Sequence, residues 1–178
     1  MSFGKLIKGV LPALAAVLAG CGDTDGPAVV KTYDRGDIVE SLFFSASRAG
    51  PVLAHVHGNP FGGDDRKLVD AVHTTMAEAI VGRPMTFTDD PSAVEQPNNH
   101  VIVVFGAPLN QNGHKLCAGV LPEVQAPREP GRIDVRAVFC GDGELLADAE
   151  GWVKRIDGID DLRFRRLIFD LSSQLLAS

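Results

Sequence analysis

Residues 101 to 105 read Val-Ile-Val-Val-Phe, an unbroken apolar run closed by Gly106. A strand with one wet face alternates apolar and polar residues, whereas a strand covered on both faces has no reason to. This run therefore belongs at the centre of a sheet, and the rest of the chain has to supply cover for two faces. Of 178 residues, 45% are hydrophobic and 22% charged, enough apolar material for one core of ordinary size.

The flanking patterns supply partners. Pro51 to His57 reads as a second strand, ended by Gly58 and Asn59-Pro60. From Arg132 to Cys140 the chain alternates, with Ile133, Val135, Ala137 and Phe139 on one side. Gly141-Asp142-Gly143 makes a tight connection, and Glu144 to Val153 returns as the hairpin partner. Met85 to Thr88 reads as a short strand, and Asp37 to Ala46 fits either a strand or a helical turn.

Two helices follow from periodicity. Leu68, Val72, Met76, Ala79 and Ile80 form one stripe, with Asp64 and Asp65 at the start and Gly82 as the stop. Phe164, Ile168, Leu171 and Leu175 form another between Asp160 and Leu176, leaving Arg163, Arg165 and Arg166 on a solvated face. No internal repeat or second-domain boundary is visible. The economical arrangement is a single two-layer α+β domain over residues 37–178: a mostly antiparallel sheet of about four or five strands with two helices on one face.

The first twenty residues have a different character. Lys5 and Lys8 precede an apolar stretch from Val10 to Ala19, the layout of a secretory signal. At about ten residues this stretch is half of what a spanning helix needs. It runs into Leu18-Ala19-Gly20-Cys21, which resembles the lipobox of bacterial lipoproteins. The resemblance implies that the Cys21 thiol receives a diacylglyceryl group, that residues 1–20 are removed, and that the new amino terminus is acylated. Two or more acyl chains hold a protein on a membrane stably. In that family an Asp directly after the lipidated Cys signals inner-membrane retention. Gly22 stands there instead, which implies the outer membrane, facing the periplasm.

Residues 21–36 then read as a lipidated terminus and a polar, Gly-rich flexible tether. Loss of Lys5 and Lys8 takes the formal charge from -6 to -8. With no basic stripe interleaved with aromatics, that balance excludes nucleic acid as a partner. The expected partners are the membrane, through the lipid, and another envelope protein.

With Cys21 assigned to lipid, Cys117 and Cys140 remain, and in an oxidising compartment they are expected to form a disulfide. His114, three residues before Cys117, leaves a Cys–His nucleophile or metal site as the rival. The enzyme signatures G-x-S-x-G, S-x-x-K, H-E-x-x-H and the P-loop are absent, and no carboxylate pair stands out.

His55 and His57 are the remaining chemistry-bearing pair. Two apart on a strand, they share a face and could hold copper or zinc, with His73, His100 or His114 as a third ligand. The spacing resembles the metal motifs of cupins, but the Glu that cupins need a few residues on is replaced by Asn59, Pro60, Phe61 and Gly62. Plain alternation gives the competing account: Val52, Ala54 and Val56 inward, both imidazoles outward.

The body also resembles uncharacterised proteobacterial envelope lipoproteins with a GNPF-like segment after a strand and a later Phe-Cys pair, here Gly58 to Phe61 and Phe139-Cys140. That resemblance implies no activity. The expected function is a non-enzymatic envelope accessory or binding protein. A periplasmic metal-binding protein using His55 and His57 is the first alternative, and an unrecognised hydrolase the second.

Overall fold

The computed structural model describes residues 25–82, 84–108 and 111–176. The segment 1–20 and Cys21 lie outside the described residues. The order is β1 (Ala28–Asp34), α1 (Asp37–Ala49), β2 (Val52–His57), α2 (Asp65–Ala79), β3 (Phe87–Thr88), β4 (Asn99–Phe105), α3 (Gly113–Cys117), β5 (Ile133–Gly141), β6 (Glu144–Val153) and α4 (Leu162–Leu176).

The fold is α+β, as expected, but its sheet is larger and less antiparallel. Among the described residues six strands lie in the order β1-β6-β5-β4-β2-β3. β2 runs parallel to both β3 and β4, and the other pairs are antiparallel. The parallel pairing has a simple cause: α2 intervenes after β2, and a helical crossover brings the chain back in the direction it left.

Val101–Phe105 is covered on both sides, and none of its residues is more than 4% exposed. Val101, Val103 and Phe105 join a large core with residues of α1, α2 and α4. Ile102 and Val104 face the other way, into a smaller core with Leu116, Cys117, Val138, Cys140 and Leu145. Its staple is the disulfide Cys117–Cys140, with α-carbons 5.5 Å apart, which ties α3 to a central strand.

Three helices therefore share one face and the short α3 covers part of the other, where two helices on one face were expected. The additional long helix is α1, whose Val39, Phe43 and Ala46 recur at helical spacing and are buried. Phe43 meets Phe139 edge-on, with ring centroids 5.7 Å apart. The Asp64 carboxylate caps α2 by accepting from the Arg66 amide at 2.9 Å.

The tether also needs correction. Residues 28–34 are not flexible linker but the edge strand β1, paired along β6 from Ala28 opposite Trp152 to Asp34 opposite Ala147. Asp25 is already fixed, its carboxylate 2.7 Å from the Arg155 guanidinium. The hairpin turn behaves as its sequence requires. Asp142 and Gly143 both have positive φ, 51° and 80°, the combination that matches the twist of a two-residue hairpin.

Candidate functional site

The parallel strands β2 and β4 end side by side, and each is followed by a glycine. Gly58 (φ 81°) and Gly106 (φ 66°) occupy the left-handed region. A β-carbon on Gly58 would lie 2.8 Å from the Phe105 carbonyl oxygen, and one on Gly106 2.7 Å from that of Gln125. The glycines allow the 124–125 segment to close over both strand ends, where the Gln125 amide donates to the Gly106 carbonyl at 2.9 Å.

Beneath and beside that segment lie two adjoining hollows of about 260 and 240 Å³, which share Ala107, Arg128, Arg132 and Asp134. One reaches Asn59 and Pro60, and the other reaches Trp152. Together they form a groove outside the carboxyl ends of the parallel strands, a usual place for ligands in sheets with such strands.

The groove floor is polar and paired. Arg136 holds Asp148 through Nε and Nη2, at 2.9 and 2.6 Å, and its Nη1 lies 3.7 Å from Glu150. Arg132 grips Asp134 with Nε at 3.0 Å and Nη2 at 2.7 Å, and its guanidinium lies 5.5 Å from the centre of the Trp152 ring. Asp134 also has Arg128 at 4.0 Å. The hydrogen bonds to Asp134 raise the Arg132 pKa further, so that charge is permanent. Among the described residues lining the two hollows there is no Ser, Thr, Cys, His, Lys or Tyr; of the lining carboxylates, Asp134 is committed to the Arg132 guanidinium, while Glu150 lies 3.7 Å from Arg136.

The apolar half of the β5 alternation does not reveal this cluster. The signal was there in the other half: Arg132, Asp134 and Arg136 at every second position, answered by Asp148, Glu150 and Trp152 in β6. Strand register places Asp134 opposite Trp152 and Arg136 opposite Glu150.

The histidines are distributed differently from the expected cluster. Val52 and Ala54 are buried and Val56 packs against the large core, while His55 is exposed on the opposite face. His57 donates from Nε2 to the Pro122 carbonyl at 3.0 Å, pinning the 106–131 connection over the sheet. His73 donates to the Ala54 carbonyl at 2.9 Å, and His114 sits edge-on to Tyr33 at 6.0 Å.

His100 alone meets His55, with ring centroids 6.0 Å apart. Its Nδ1 lies 3.3 Å from the Asn98 carbonyl, which can only accept, so the ring proton sits on Nδ1 and Nε2 keeps its lone pair. Burial, chiefly, lowers the His100 pKa and favours the neutral ring; a charge on His55 acts in the same direction. Among the described residues no group of three or more His, Cys, Asp or Glu side chains converges on a metal position.

Gly58-Asn59-Pro60-Phe61 is largely scaffold. Asn59 accepts from the Phe61 amide at 3.0 Å and donates to Asp65 at 2.8 Å, joining the end of β2 to the start of α2. Phe61 packs edge-on against Phe164 at 5.1 Å. Compared with known proteins, the chain matches no family model, no curated protein and no solved structure.

Proposed function

We propose that the protein is a lipid-anchored, periplasm-facing envelope protein, on the outer membrane by preference, that acts by binding a protein partner and not by catalysis. The observation that carries the binding half is the composition of the groove. Apolar walls, a tryptophan and fixed guanidinium–carboxylate pairs suit recognition, because such pairs present charge in a set geometry. Reaction would draw instead on a free nucleophile or proton acceptor, and Glu150, 3.7 Å from Arg136, is the lining carboxylate closest to that description.

The anchor half rests on Leu18-Ala19-Gly20-Cys21, with the buried disulfide as support, since structural disulfides persist in oxidising compartments. Cys21→Ser should abolish lipid labelling and release the protein from membranes; continued attachment would reject the anchor. For the groove, a photo-crosslinking residue at Pro127 should form a discrete adduct in cells that disappears in Arg128→Glu. An absent adduct, or one indifferent to Arg128, would reject the groove.

One observation favours metal binding as a second reading, namely the His55–His100 contact. The pair in question is then no longer His55 and His57 alone, because His57 spends its Nε2 proton on Pro122. Calorimetric titration with copper or zinc should lose its heat in His55→Ala/His100→Ala; binding that survives both changes would remove this reading.

A further inference from the structure

We infer that the corner of the domain formed by Asp25, Ala28, Trp152, Lys154 and Arg155 rests on the lipid headgroups of the leaflet that carries the anchor. The inference rests on the lipid attachment of Cys21 proposed above. Its physical basis is covalent reach. The described part of the chain begins at Asp25, whose carboxylate pairs with Arg155 at 2.7 Å and whose carbonyl accepts from the Lys154 amide at 3.4 Å. Only Gly22, Asp23 and Thr24 separate it from Cys21.

Four steps of a fully extended chain span at most about 14 Å. A diacylglyceryl group places the Cys21 sulfur at headgroup level, and the headgroup zone itself is several ångströms deep. Asp25 therefore cannot rise above the bilayer by more than a thin layer of water. The long tether that the sequence suggested would have left orientation free, but β1 has consumed it.

The chemistry of the corner fits that position. Trp152 stands opposite Ala28 in the β1–β6 register, and tryptophan favours the membrane interface. Arg155 is 76% exposed along its side chain, and Lys154 is partly exposed and pairs with Glu129 at 3.0 Å. Three acids of this corner have a basic partner: Asp25 has Arg155, Glu129 has Lys154 and Asp134 has Arg132. Those pairings reduce the repulsion that an acidic body meets from an anionic bilayer. Trp152 also lines the groove, so one end of the groove opens beside the membrane surface.

Trp152 is the only tryptophan in the sequence and reports on its own surroundings. The full-length lipidated protein would be reconstituted into phosphatidylethanolamine–phosphatidylglycerol vesicles carrying a nitroxide on the headgroup. It should float with the vesicles and lose most of its Trp152 emission. Inserting about twelve Gly and Ser residues between Asp23 and Thr24 should restore that emission without affecting flotation, since a flexible linker lengthens the reach. Protein that floats with Trp152 unquenched overturns the orientation while leaving the anchor intact. Quenching untouched by the insertion overturns the role of the short connection. Protein that fails to float overturns the anchor, and the inference with it.

Discussion

Gly113, the first residue of α3, lies so close to the Asp148 carboxylate that a β-carbon there would collide with Oδ2. The same β-carbon would meet both methyl groups of Leu145, at 3.0 and 3.1 Å. The seat of α3 on the sheet is thus fixed by the absence of a side chain above a buried acid. Gly113→Ala should cost about 1–3 kcal/mol, as overpacking does, and lower the thermal midpoint. Gly158→Ala, with open space around it and ordinary φ, should stay within about 0.5 kcal/mol and serves as the control.

Asp148 is 3% exposed along its side chain and Arg136 13%. Removing one partner strands the other, so Asp148→Ala should lower stability by about 3 kcal/mol, read from the urea midpoint. Replacing both, as Arg136→Met with Asp148→Leu, should recover most of that loss, because two charges no longer have to be desolvated. A double variant no better than Asp148→Ala would show that the pair's value lies in its attraction.

Cys117 and Cys140 are 7% and 0% exposed and 23 residues apart. Thiol titration of the unreduced, denatured Cys21→Ser protein should find no free thiol. Replacing both by Ala should cost about 3 kcal/mol on the chain-entropy estimate.

The depressed His100 pKa sets a pH dependence with a definite sign. Unfolded, the imidazole takes its proton near the ordinary 6.5; folded, burial delays this to lower pH. Between those two values the unfolded chain holds more protons, so acid favours unfolding. The stability linked to neutral His100 is present above about pH 6.5 and is lost as pH falls below it. His100→Gln should flatten that part of the profile, measured as urea midpoints at about pH 7.5 and about pH 5.5. Equal slopes in both proteins would mean that another group titrates.

What the sequence conveyed depended on how local each cause was. The stripes Leu68-Val72-Met76 and Phe164-Ile168-Leu171 announce α2 and α4, because one helix face is written in one segment. The β5–β6 hairpin was equally plain, since Asp142-Gly143 and the alternation on both sides are contiguous. β1 was hidden because the partner that turns Ala28–Asp34 into a strand lies at the other end of the chain. α1 was ambiguous because Phe43 and Phe44 suit a strand as well as a helix until Phe139 is in place. The paired groove needed strand register, including the irregularity at Phe139–Cys140, before Arg136 could be matched with Asp148.

The pairing of β1 with β6 also has a consequence for the order of events. Thr32 donates to the Asp148 carbonyl across 116 residues of sequence. A chain that emerges amino terminus first brings out β1 long before it brings out the strand that receives it. Closing so long a loop is entropically slow, and the contact forms only near the end of synthesis. The first strand out is the last to be housed, and in the interval its seven residues are an unpaired sticky edge.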